Sequence, residues 1–191
     1  MPKDTMERAI KKATDKDATT YLEVTFEGYA SNGVAIFVEC TTDNNNRTVG
    51  NVRSYFSKYG GDLGTNGSLE FIFDRKGVFT IDSAQVKMEL EELEMELIDG
   101  GLEELELEGQ IITLYTDFSD FSNMQKQLEN MDIETKSADL QRIPNNTKAL
   151  DVDNSRSVLK LIDKIEEDDD VQHVFHNLEL TDELMAALES E

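Results

Sequence analysis

At 191 residues, 38% of them apolar and 7% aromatic, the chain can bury a sizeable core and fits one domain or two small ones. Its 41 acidic and 18 basic residues give a formal net charge of -23, so self-repulsion is large, yet the apolar content argues against wholesale disorder. No run approaches the length of a bilayer-spanning helix, and the N-terminus has no apolar signal-peptide core. The single cysteine cannot form an internal disulfide, which leads to the expectation of an intracellular, cytoplasmic protein.

The charge is unevenly placed. Residues 1–80 carry a net -1, residues 81–150 a net -12 and residues 151–191 a net -10. A nucleic-acid partner would therefore meet the first third of the chain, because the acidic remainder repels backbone phosphates.

In chain order, Met1-Pro2-Lys3-Asp4 opens a short basic helix through about Lys12, with Met6, Ala9 and Ile10 as its apolar side. Thr14 to Thr20 reads as a linker. Leu22, Val24 and Phe26 alternate with polar residues as a strand, and Gly28 to Gly33 turns the chain into a second strand, Val34 to Cys40. Cys40 shares a face with Val34, Ile36 and Val38 and reads as a buried structural thiol. A helix starts after Asp43, with Val49, Val52, Phe56 and Tyr59 as its buried stripe. Leu69, Phe71 and Phe73 predict a strand face. Asp74-Arg75-Lys76-Gly77 predicts a turn, and residues 78–81 the next strand.

Residues 83–98 predict a helix with Val86, Leu90, Leu93 and Leu97 inward, stopped by Gly100-Gly101. Strands at about 103–107 and 111–116, a helix over 117–129 and a strand near 134–143 complete a compact acidic unit. The last part predicts a helix capped at Asp153 or Asn154, containing Val158, Leu161, Ile162 and Ile165, and a strand over 171–180. The element order leads to an α+β class: a ferredoxin-like central domain of residues 20–81 and 146–180, completed by the C-terminal helix and strand. A second compact α/β domain, residues 82–145, is inserted in it. Residues 1–19 and the acidic tail 181–191 flank the two.

Chemistry points to the helix after Asp43. Arg47, Asn51, Ser54 and Lys58, at spacings of four, three and four, predict a basic-polar stripe roughly opposite the core stripe, with Arg53 beside it. Asn44 to Asn46 add donors at the helix start, a pattern that suits phosphate contacts. A solvated polar face is the competing reading. Gly60, Gly61, Gly64 and Gly67 either let a partner approach the backbone or join the helix to its strand. They match neither a dinucleotide fingerprint nor a P-loop, so no nucleotide cofactor is expected. His173 and His176 point to opposite strand faces and make a poor metal pair. Glu166 to Asp170 reads as a solvated turn, although it could attract a cation. No nucleophile–base set emerges, and no enzyme activity is expected.

The chain closely resembles the YebC/PmpR family, which includes the TACO1 translational activators. The resemblance rests on Met1 to Lys12, Glu27-Gly28-Tyr29, Gly33 to Ile36, Glu39 to Thr48, Phe56 to Gly64, Leu161-Ile162-Asp163 and Asp168 to Asn177. It implies a cytoplasmic DNA-binding transcriptional regulator or, alternatively, a ribosome- or mRNA-associated translation factor relieving stalling. It also implies that Met1 falls where the family's basic first domain is nearly finished. The nucleic-acid-binding residues it implies are Lys3, Arg8, Lys11 and Lys12 with Arg47, Arg53 and Lys58; Asn46 and Asn51 join them from the helix pattern. DNA is the expected partner, or ribosome and mRNA, with a protein partner reached through the acidic inserted domain. No membrane contact, metal, cofactor or catalytic residue is expected.

Overall fold

The computed structural model describes residues 20–190, so the opening basic helix with Lys3, Arg8, Lys11 and Lys12 lies outside the described residues. The fold is α+β, with two four-stranded antiparallel sheets and, among the described residues, five α-helices. Two compact units divide the chain: residues up to Leu69 together with those from Asn146 onward, and Glu70–Asn145. No helix of the described residues is long and apolar enough to cross a membrane.

In the first unit, β1 (Leu22–Tyr29) pairs antiparallel with β2 (Ala35–Thr42), which is followed by α1 (Asn45–Lys58) and a two-residue strand, β3 (Asp62–Leu63). After the second unit the chain returns as α4 (Val152–Glu166), β8 (Val171–His176) and α5 (Asp182–Glu189). The sheet order is β3-β1-β2-β8. Alternation along β2 sends Ile36, Val38 and Cys40 to one face, where they meet Val52 and Phe56 of α1 and Val158, Leu161, Ile162 and Ile165 of α4. Two helices on one face of an antiparallel sheet make the ferredoxin-like layering, and the expected completion by a C-terminal helix and strand is seen in α4 and in β8 pairing with β2. The two strands expected before α1 are present, whereas β3 supplies only two residues before the second unit begins. Residues 181–190, expected as part of a tail, instead form α5: Thr181 caps it, and Leu184 is buried against the core.

The second unit contains β4 (Phe73–Asp82), α2 (Leu90–Ile98), β5 (Leu102–Glu108), β6 (Ile111–Asp117), α3 (Phe121–Asn130) and β7 (Thr135–Pro144), in sheet order β5-β6-β4-β7. Phe79, Ile81, Ile112 and Leu114 form the buried sheet face. Leu93 and Leu97 of α2 and Met124 and Leu128 of α3 cover it, and Phe121 stacks on Phe79 with centroids 4.8 Å apart.

Three expectations are corrected here. Residues 69–72 form a turn, although Leu69 is buried, and Asp74 to Gly77 lie inside β4. That strand pairs with β6 and β7 of the second unit, so the division falls after Leu69 and not after Ile81. Asp-Arg-Lys-Gly has turn composition, but two neighbouring strands supply ladder partners on both sides, and that pairing overrides local preference. Gly77 is needed for packing: a Cβ there would stand 2.6 Å from Thr116 Oγ1 and 3.0 Å from Phe121 Cδ2. Gly77→Ala should therefore destabilise the protein by about 1–3 kcal/mol through overpacking. Urea unfolding checks this, and an unchanged midpoint would contradict the close contact.

Candidate nucleic-acid interface

Helix α1 begins where Asn44, in extended conformation, turns its side-chain oxygen to accept the Arg47 backbone N–H at 3.1 Å. It ends in a Schellman motif: Gly61 N–H donates to Phe56 O at 2.8 Å and Gly60 N–H to Ser57 O at 3.3 Å, with Gly60 at φ +76°. A Cβ on Gly61 would lie 2.6 Å from Tyr29 O. The glycines at 60 and 61 thus have a structural task, stopping the helix and bringing β3 against β1.

Around this frame the α1 cations have unequal surroundings. Arg47 is exposed at the surface, but its Nη2 donates to Asp43 Oδ1 at 2.9 Å and to both Asp170 carboxylate oxygens at 3.0 and 2.9 Å. Hydrogen bonds to Asp170 and then Asp43 raise the guanidinium pKa further above its usual range. Asn51 Nδ2 donates to Asp168 Oδ2 at 3.2 Å. Tyr55 OH donates to the same oxygen at 2.8 Å. Burial, reinforced by that bond and by nearby carboxylates, pushes the Tyr55 phenol up to about 12. Arg47, Asn51 and Tyr55 therefore line the edge of α1 that faces the α4–β8 loop.

Asp170 is the centre of this latch. Its carboxylate also accepts from Thr48 Oγ1 at 2.9 Å, and Thr48 Oγ1 lies 2.7 Å from Thr42 Oγ1. Its backbone oxygen accepts Thr41 N–H at 2.8 Å, and its own N–H donates to Asp168 Oδ1 at 3.0 Å. The run Glu166 to Asp170, read from sequence as a solvated turn, contains the two carboxylates that hold α1 to the rest of its unit. The sequence shows an acidic run and a basic helix edge, but their approach across more than one hundred residues is a tertiary event.

The remaining α1 residues of the expected interface are open. Asn46, Arg53, Ser54 and Lys58 are exposed, and Lys58 Nζ stands 5.7 Å from the Tyr59 ring centroid. At about 100° per residue, Arg53 lies well round the helix from Arg47, so the basic stripe is two edges. Arg47 and Asn51 are turned to internal partners, whereas Arg53 and Asn46 occupy the other side; Lys58, about 20° round the helix from Arg47, is exposed at the C-terminal end of the Arg47 edge. Asp43, Thr42, Thr48, Tyr55, Asp168 and Asp170 did not stand out in the sequence as partners of that stripe.

Cys40 is buried, and desolvation, with the Asp168 and Asp170 charges adding to it, pushes its thiol up to about 12. It is protonated and inert at neutral pH. His176 Nδ1 accepts Leu178 N–H at 3.1 Å, and burial lowers its pKa.

Burial works against the Asp170 charge, but hydrogen bonds from Arg47 and Thr48 and the Arg47 charge outweigh it, holding the carboxyl below its ordinary 3.8. Because folding lowers this pKa, the stabilisation is complete above the unfolded value and is lost as pH falls through the folded one. Asp170→Asn should lower stability by about 1–3 kcal/mol at neutral pH. The deficit should shrink as pH falls below the ordinary carboxyl value of 3.8 and through the lower folded one, as urea unfolding of both proteins at neutral and acid pH will show.

The profile described as the TACO1/YebC second and third domain matches residues 21–178. A "probable transcriptional regulatory protein" of Porphyromonas gingivalis is 57% identical over 178 residues, covering 93% of this chain and 73% of the relative. One of Cytophaga hutchinsonii, with the same description, is 53% identical over 182 residues, covering 95% and 76%. The crystal structure of a conserved hypothetical protein from Aquifex aeolicus superposes with a TM-score of 0.74 at 35% identity, covering 94% of this chain and 74% of that one. This chain therefore belongs to the TACO1/YebC family, with residues 21–178 forming the family's second and third domains.

Proposed function

We propose that this protein is a nucleic-acid-binding regulator, a DNA-binding transcriptional regulator by the reading its relatives' names support. The observation that carries it is the exposed polar surface of α1, where Asn46 and Arg53 on one edge and Lys58 at the C-terminal end of the other remain solvent-facing on a chain of net charge -23. Arg53 has no ion-pair partner among the described residues, so its guanidinium is available to a phosphate. Arg47 serves the latch: it fixes the helix that presents the other two cations.

A second reading is contact with the ribosome or an mRNA. It draws support from the small size of the open basic surface, since two cations suit a local contact on a nucleoprotein better than a long duplex track.

Arg53→Glu combined with Lys58→Glu should weaken nucleic-acid binding by about tenfold or more. The salt dependence should flatten by about one unit of slope for each phosphate that is no longer neutralised. The unfolding midpoint should stay close to that of the unaltered chain, whereas Arg47→Glu should weaken binding and stability together. Binding is measured to matched duplex DNA, structured RNA and purified ribosomes across roughly 20–200 mM salt. DNA binding abolished in the double variant supports transcriptional regulation, and ribosome-selective binding moves the assignment to translation. Equal binding by the folded double variant sinks both.

A further inference from the structure

Strand β8 ends the first sheet, with β2 on its inner side and no strand on its outer side among the described residues. In an antiparallel ladder, alternate residues turn their N–H and C=O groups away from the partner. Phe37↔Phe175 and Glu39↔His173 are register pairs, and Asn177 N–H donates to Ala35 O at 3.2 Å. The β2-facing set is thus 173, 175 and 177, which leaves the backbone groups of Val174 and His176 directed outward. Lys148 covers the outer side only past the strand's end, through Asn177 O at 2.6 Å and Glu179 N–H at 2.9 Å.

The other sheet edges carry the devices that discourage strand addition. Strand β3 has two residues. Strand β5 bears Glu103, Glu104, Glu106 and Glu108, and β7 carries Lys136, Asp139 and Arg142 and ends on Pro144. Strand β8 reads Val-Gln-His-Val-Phe-His, with no lysine, arginine, carboxylate or proline. A cleft lined by Glu166 and Val171 to Phe175 runs along it, and Gln172 and His173 are exposed.

The charge beside this edge selects the occupant. Glu166 and Asp169 are exposed and have no ion-pair partner among the described residues, and they lie where α4 ends. A helix C-terminus carries partial negative charge, so it adds to the carboxylates in favouring a cation. A second copy of this chain would bring its own acidic run and its own charge of -23 to the contact, and like charges disfavour that pairing.

We infer that the outer edge of β8 docks an extended polypeptide segment of a basic partner protein, which adds a strand to the first sheet and places Lys or Arg against Glu166 and Asp169. Backbone hydrogen bonds at Val174 and His176 hold the segment, and alternate apolar side chains enter the cleft. This site is independent of the α1 surface and needs no nucleic acid.

The test uses the full chain and a phage-displayed library of random nonapeptides, selected on the unaltered protein and counter-selected on Val174→Pro. Proline at an outward-facing edge position removes a solvent-side N–H and leaves the β2 ladder in place. The expected peptides alternate apolar residues, carry Lys or Arg, and bind the Val174→Pro chain about tenfold more weakly. Glu166→Lys, which leaves the strand backbone untouched, should weaken the same peptides about fivefold and serves even if Val174→Pro does not fold. Nucleic-acid binding should be unchanged in both variants, so the two readings fail separately. The inference is overturned if no selected peptide distinguishes the unaltered chain from both variants, or if acidic peptides are enriched as readily as basic ones. It is also overturned if sedimentation shows concentration-dependent dimers that Val174→Pro abolishes, because the occupant is then a second copy.

Discussion

Asp170 holds three pieces of the first unit in register. Its backbone oxygen ties the loop to β2 through Thr41, its carboxylate ties it to α1 through Arg47 and Thr48, and its N–H tightens the loop on Asp168. A carboxylate so nearly buried would be costly to keep charged without partners. Here the donors come from an element more than one hundred residues away, so the helix and the α4–β8 loop hold each other. The position of α1, and of every side chain it displays, depends on that contact.

The latch also explains how a strongly acidic protein keeps a usable basic surface. Arg47 is neutralised by carboxylates that fold toward it, while Arg53 lies on the other edge of α1 and Lys58 at its C-terminal end, both exposed. Removing Arg47 from the count of free charges makes the open basic surface smaller, but it makes that surface rigid, because α1 is capped at Asn44, stopped at Gly60 and pinned in the middle of one edge. Preorganised charges lose less on binding than mobile ones. The second unit is built around Phe79, Ile81, Ile112 and Leu114, and its surface is dominated by glutamates.

Edge chemistry separates the strands as clearly as charge separates the helix faces. Three sheet ends are short, charged or closed by proline. Strand β8 is neutral and backed by a cleft, and it follows directly on the acidic run that holds the latch. One short segment, Glu166 to His176, therefore supports α1 on one side and, among the described residues, has no strand paired on the other.

What the sequence by itself determined was local and periodic. The spacing of Val52 and Phe56, and of Val158, Leu161, Ile162 and Ile165, specified two amphipathic helices, because a 3.6-residue repeat leaves one burial face. Alternation in β1, β2 and β6 specified strands for the equivalent reason, and the motifs from Glu39 to Gly64 and from Asp168 to Asn177 specified the family. Tertiary structure decided the rest. Asp74 to Gly77 has the composition of a turn, and only neighbours on both sides make it strand. Residues 181–190 looked like a charged tail, and only a core with room for Leu184 makes them a helix. Arg47 looked like a free phosphate ligand, and only the approach of Asp170 makes it a structural cation. A side chain's partner is set by distance in space, and for each of these residues the deciding partner lies far away in the chain.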